Sequence, residues 1–245
     1  MGTAAIQYNA LTASRHTGAT FRRGQVERAI ARIQKVSWID GGTQLRALRA
    51  DLKRLIDIDR RPLSADLKSF ELRRAFSDGA GPQTSTDVDY TPYQAFALLT
   101  AYRLTESGIT QSRVVLFLRQ IRPHLESAFE TETSVKPAGS DRQELERRIL
   151  AGELVTQAKD AMFLLVRTGS KPPIIPGISS RGGGRMPANI CSCDQLGEIL
   201  MSFDRYGEAL TVLPITSAAQ QIVVALQRAP AASRGRPRSP PKQAV

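Results

Sequence analysis

The sequence predicts a mainly α-helical body followed by a small α/β unit. Three observations carry that reading. Apolar residues recur at helical spacing through most of residues 21–153. From residue 156 the pattern changes, because residues 161–166 and 209–215 are short apolar runs suited to strands, with helical segments between and after them. Residues 1–20 and 229–245 have no periodicity, and the second of these stretches is dominated by Pro, Ser and Arg. The chain thus divides into a flexible arm (1–20), a helical domain (21–153), an α/β domain (156–228) and a disordered basic tail (229–245). The order strand, loop, helix, strand, helix in the α/β domain predicts two strands paired in parallel through a right-handed crossover.

Residues 21–38 read as an amphipathic helix, with Val26, Ile30, Ile33 and Val36 on one side and Arg28, Arg32 and Lys35 elsewhere. After Gly41-Gly42, Thr43 is placed to cap a helix in which Leu45, Leu48, Leu52 and Leu55 form a narrow apolar seam. Such a seam packs into a core or pairs with a second copy in a homodimer. Arg46, Arg49, Lys53 and Arg54 line its other sides, a solvated face that can also meet phosphate. Residues 64–76 form a shorter helix anchored by Leu67, Phe70 and Phe76, and residues 77–89 a polar loop with Gly79, Gly81 and Pro82.

Residues 90–123 carry the densest set of agreeing local signals. Thr91 is a good N-cap, Pro92 suits the first helical position, and Gln94 stands where a capping-box partner belongs. Ala95, Phe96, Ala97, Leu98, Leu99, Ala101, Tyr102 and Leu104 make that helix apolar on nearly every side, as in the middle of a domain. Gly108 supplies the left-handed residue that ends it, and Thr110 caps a second helix. There Val114, Val115, Leu116, Phe117, Leu118 and Ile121 face inward, Gln111, Ser112, Arg113, Arg119 and Gln120 look outward, and Pro123 breaks or kinks the helix. Gln and Arg are the side chains that make bidentate contacts to adenine and guanine edges.

This stretch resembles the helix-turn-helix of bacterial regulators, most nearly the MerR-like kind, with Gly108-Ile109-Thr110 at the turn. The motif in that family stands at the chain start and is followed by an arginine-tyrosine pair entering a wing; neither holds here. The resemblance implies a helix-turn-helix within the helical domain, a role in transcription regulation and double-stranded DNA as partner. On that reading Gln111, Ser112 and Arg113, after the Thr110 cap, enter the major groove, while Arg119, Arg122 and the tail attract phosphate. The alternative is a non-enzymatic helical structural or protein-interaction module with a basic tail, in which the hairpin is structural and the positive charge serves solubility.

Beyond that hairpin, residues 124–130 predict a short helix, 131–140 a loop and 141–154 a charged helix. The Pro/Gly-rich run 171–187 is not helical, residues 195–203 form a helix, and Thr216 caps a last helix running to about Arg228.

The 34 Lys and Arg against 23 Asp and Glu give a formal charge of +11, which points to a polyanionic partner. Residues 1–90 carry 15 basic and 10 acidic side chains, residues 91–153 carry 8 of each, and residues 230–245 carry 4 basic and no acidic ones. The candidate hairpin thus lies in a neutral segment, although four arginines face the single acid Glu106 between Arg103 and Arg122. Two cysteines exclude a disulfide framework, the first residues lack the apolar core of a secretory signal, and no apolar run is long enough to cross a bilayer. A cytoplasmic protein, not attached to a membrane, is expected.

No enzyme chemistry is legible. His16 falls in the arm and His124 directly follows a proline. Cys191 and Cys193 lack a second Cys or His pair at zinc spacing and read as reduced structural cysteines at a helix start. Thr168-Gly169-Ser170-Lys171 lacks the earlier glycine of a nucleotide-binding loop. Arg181 and Arg185 flank three glycines able to turn N–H groups toward an anion, in what reads as an exposed loop. Neither a cofactor, a metal nor a small-molecule ligand is predicted.

Overall fold

A computed structural model describes residues 19–38, 42–61, 74–78, 89–134, 142–153, 160–168, 188–201 and 209–230. In chain order the elements are β1 (Phe21–Arg22), α1 (Arg23–Ile33), α2 (Thr43–Arg60), β2 (Asp89–Tyr90), α3 (Pro92–Glu106), α4 (Gln111–Ser134), α5 (Arg142–Ala151), β3 (Met162–Thr168), β4 (Ala188–Ser192), α6 (Cys193–Met201), β5 (Ala209–Pro214) and α7 (Ile215–Gln227). The mainly helical expectation holds, with a small sheet attached. Residues 64–73 of the helix expected at 64–76, the glycine-flanked arginines and most of the 77–89 loop lie outside the described residues, as do the arm before residue 19 and the tail after 230; the last three residues of that expected helix, 74–76, are described and are not helical.

The α3 helix starts as its residues dictate. Thr91 Oγ1 accepts the N–H of Gln94 at 3.2 Å, and Gln94 Oε1 accepts the N–H of Thr91 at 2.9 Å. Residues 92–101 are all buried. At its end Gly108 has φ +91°, its N–H donating to Thr105 O at 2.9 Å and that of Ile109 to Leu104 O at 3.2 Å, which closes the helix in a Schellman motif. The α1 helix ends in the same way, but with Lys35 at φ +56° in the glycine position and Val36 N–H bonded to Ala31 O at 2.8 Å.

Several expected boundaries move. The α4 helix runs straight through Pro123 to Ser134, absorbing the separate helix expected at 124–130 and the first part of the expected loop. Pro123 leaves the carbonyl of Arg119 without its helical partner, but buried Phe117 and Leu118 on one side of it, and Leu125 and Phe129 on the other, hold both turns in place. Phe129 reaches back to α3, 5.0 Å from the Phe96 ring and 5.9 Å from that of Tyr93. Gly42, not Thr43, is the N-cap of α2, and Phe21 and Arg22 pair with Tyr90 and Asp89 instead of opening α1.

The three-stranded sheet has the order β4-β3-β5, and β3 is antiparallel to both neighbours. The expected parallel pairing of the strands at 161–166 and 209–215 is therefore wrong: Leu164 faces Leu213 and Leu165 faces Val212 in an antiparallel ladder. The β4 strand was not foreseen, and it supplies the missing logic. Being antiparallel to the same strand from opposite sides, β4 and β5 run parallel to each other, joined by the segment containing α6. A parallel crossover exists, with β3 inserted between its two strands.

One face of β3, with Leu164 and Val166, packs into the main buried cluster, while Leu165 and Cys191 are buried on the other face. The last helix, α7, packs against α1, α3, α4 and α5 as well as β3. The core consequently runs across the boundary expected between residues 153 and 156, joining Ile215, Ala219, Ile222 and Leu226 to residues of α1 to α4. Pro214 stands at the N-cap of α7; Thr216, expected there, is buried and its hydroxyl accepts the N–H of Met162 at 2.8 Å.

Candidate nucleic-acid interface

The first turn of α4 presents Thr110, Ser112 and Arg113 to solvent. Gln111 is half-buried, and its amide donates to Asp51 Oδ1 on α2 at 3.2 Å, which seats this turn against the middle of α2. Asp51 also lies 3.7 Å from the guanidinium of Arg54, so Gln111 shares a carboxylate with a basic side chain.

Arg119 and Arg122 do not look outward. Arg119 is 6% exposed, and its Nε donates to Asp59 Oδ1 at 2.7 Å while the same guanidinium reaches the Asp59 carbonyl. The Asp59 carboxylate also accepts the N–H groups of Ala75 and Phe76, at 2.9 and 3.0 Å. Arg122, 2% exposed, donates to the carbonyls of Arg74 and Ser77 and to the Asp78 carboxylate, and lies over the Tyr93 ring. Burial of Tyr93 raises its phenol well above the ordinary value. The two arginines expected on phosphate instead bind residues 74–78 to α2, α3 and α4, and a guanidinium so enclosed cannot also serve a nucleic acid.

The charge available to a polyanion lies on α1 and α2. Arg28, Arg32 and Lys35 are exposed at the first, and Arg46, Arg49, Lys53 and Arg54 on the second. Among the described residues 19–61 no acidic side chain is exposed: Glu27 and Asp59 are buried, Asp51 and Asp57 half-buried. Glu27 is held between the two helices, accepting from Arg23 at 2.7 Å and from Arg49 at 3.1 Å. Half-buried Trp38 gathers the basic groups, with the Arg28 guanidinium 5.1 Å and that of Arg49 4.4 Å from its ring centroid. Spacing places Arg46, Arg49 and Lys53 on one side of α2, toward Trp38, with Arg54 toward α4. Sequence reasoning reads these arginines as a solvated face. The usable signal is the burial pattern of the few acids between them.

Other candidate chemistry stays apart. Cys191 is buried in β4, where burial pushes its thiol up, and Cys193 opens α6 half-exposed. No group of three or more His, Cys, Asp or Glu able to hold a metal occurs among the described residues. His124 is exposed on α4. A cleft of about 710 Å³ beside α5 is lined by Arg142, Glu144, Glu146, Arg147 and Arg228, whose charges pair with one another; bonds from Arg142 and Arg228 hold the Glu146 carboxyl below its ordinary range. No described helix is long and apolar enough to cross a membrane. No protein-family model, curated protein or solved structure matches the chain.

Proposed function

We propose that the protein binds duplex DNA through the α1–α2 face, with the first turn of α4 at its margin. The observation that carries this reading is that, among the described residues of 19–38 and 42–61, the exposed charge is of one sign, with their acids drawn inward. A surface of that kind releases counterions from the phosphate backbone and binds whatever the sequence. Arg113, Ser112 and Thr110, beside α2 through the Gln111–Asp51 bond, are the groups to read base edges; Arg119 and Arg122 have no part in it. The resemblance of residues 90–123 to the helix-turn-helix of bacterial regulators, noted in the sequence, is part of this reading.

Salt titration of duplex binding tests this. Replacing Arg32, Arg46 and Lys53 by Gln should weaken binding to all sequences and reduce the salt slope by about 0.9 for each phosphate no longer neutralised. Arg113→Ala should cost ~1–3 kcal/mol on a selected site and relax preference there. Parent-like binding by the triple variant would remove the face from the reading.

One observation favours a second reading, a protein-interaction module. No residue of α6 is buried, and Leu200 and Met201 at its end are 45% and 88% exposed. Concentration-dependent sedimentation that Met201→Lys abolishes, together with absence of DNA binding, would select it.

A further inference from the structure

Arg49 is gripped from two directions. Its Nε donates to Glu27 Oε2 on α1 at 3.1 Å, and its guanidinium stands 4.4 Å from the centroid of the Trp38 ring. Glu27 is itself fixed, being 7% exposed and accepting from Arg23 Nε at 2.7 Å through its other oxygen. Even so, 47% of the Arg49 side chain remains exposed. With Nε committed to Glu27 and the group laid over the indole, the edge formed by the two Nη groups is what a further acceptor can meet. Arg28, 5.1 Å from the same ring, joins from α1, and Arg46 and Lys53 stand one turn to either side of Arg49 on α2. Arg23, Arg28 and Arg49 are three cations around the one anion Glu27, which leaves this cluster at +2.

We propose that Arg49 is the anchor of the α1–α2 face, a preset guanidinium fork that takes one phosphate of the duplex backbone through both Nη groups, with Trp38 and Glu27 as the residues that position it. This rests on the DNA-binding reading above and adds to it which side chain fixes the protein on the duplex. The two non-bridging oxygens of a phosphodiester match the fork and accept two parallel charge-assisted bonds, which the point charge of an ammonium cannot reproduce. An unrestrained arginine gives up its rotamer freedom on binding, whereas this one is already held. Tryptophan and arginine enclosed within a contact surface carry a large share of its binding energy, and the looser cations around them supply charge. A guanine edge would meet the same two donors, but a side chain laid over an indole between two helices is placed for the backbone ridge, not for the floor of a groove.

The test follows fluorescence anisotropy on duplexes of roughly two helical turns (~20 bp) over a range of salt. It compares the full chain with Arg49→Gln, Arg49→Lys, Trp38→Leu, Trp38→Phe and the Trp38→Leu/Arg49→Lys pair, each checked for folding by circular dichroism. Arg49→Lys keeps the charge and loses the fork, so binding should weaken about tenfold at an unchanged salt slope, whereas Arg49→Gln should also flatten the slope by about 0.9. Trp38→Leu should weaken binding as Arg49→Lys does, the pair no further than either change alone, and Trp38→Phe, which keeps a ring for the guanidinium, should recover most of the loss. Should Trp38→Leu fail to fold, the two Arg49 variants decide by themselves. Trp38 is the single tryptophan of the chain, so its quenching by acrylamide should fall when duplex binds. Parent-like binding by Arg49→Lys, additive losses in the pair, undiminished quenching in the complex or a loss confined to guanine-bearing sites overturns the phosphate fork and leaves the DNA-binding reading standing. If Arg32→Gln/Arg46→Gln/Lys53→Gln binds like the parent, or the full chain binds anionic lipid vesicles but no duplex, that reading falls and the fork with it.

Discussion

Arg119 and Asp59 meet in the interior with Nε and Oδ1 2.7 Å apart, both side chains no more than 5% exposed. The pair joins α4 to the end of α2, and through the Ala75 and Phe76 N–H groups the same carboxylate holds the segment that places Phe76 in the core. Arg119→Ala leaves a buried carboxylate without its cation and should destabilise the fold by about 3–5 kcal/mol, measured by chemical denaturation. The salt slope of the proposed duplex binding, measured on the folded fraction, should not change, which separates this role from a phosphate contact.

Lys35 occupies a left-handed position that glycine fills in most helix ends. Lys35→Gly removes the steric cost of that conformation, offset in part by the greater freedom of glycine in the unfolded chain, and should stabilise the protein by about 0.5–1 kcal/mol. A lower denaturation midpoint for this variant would contradict that account.

Gly108 is the converse case. A Cβ built there meets nothing within 4 Å, so any cost of Gly108→Ala arises from its φ of +91° alone. Destabilisation by about 1–2 kcal/mol is expected. Gly108→Asn should recover part of it, because Asn tolerates the left-handed region where Ala does not.

Glu132, buried near the end of α4, has its carboxyl raised above the ordinary 4.5, chiefly by burial and further by Asp160, against a stabilising bond from Thr216. A raised acid binds its proton more tightly in the folded state. Its contribution is fully present below pH 4.5 and is lost as pH rises through the folded value. Glu132→Gln, which keeps an acceptor for Thr216, should raise the melting temperature at pH 7 relative to the parent and have a smaller effect near pH 4.5. Equal shifts at both values would show that ionisation of Glu132 does not matter.

The α3–α4 turn was legible in the sequence because each of its signals is local: the Thr91–Gln94 box, Pro92 and Gly108 act within a few residues of themselves. The fate of Arg119 and Arg122 was not, since their partners Asp59 and Asp78 lie 60 and 44 residues earlier. Their residue type suggested solvent, yet Val115, Arg119, Arg122 and Phe129 share one helical stripe, and both ends of that stripe are buried. The β4 strand escaped notice because five residues with Asn189 and Ser192 among them, after a Pro/Gly-rich run, carry little strand signal. Without it, the order of strands suggested the wrong parallel pair. Of the candidate site, the positive residues were visible, but which of them remained available depended on where the acids folded.

The position of α7 imposes an order on the making of this protein. The ribosome releases Ile215–Gln227 after the other helices of the described residues, yet α1, α3, α4 and α5 all bury side chains against it. Until that segment emerges, the earlier helices hold their apolar stripes open to solvent, and β3 waits likewise for both of its later neighbours. Completion of the core thus waits until Ile215–Gln227 is made, and a chain interrupted before Ile215 would be a client for chaperones instead of a smaller folded protein.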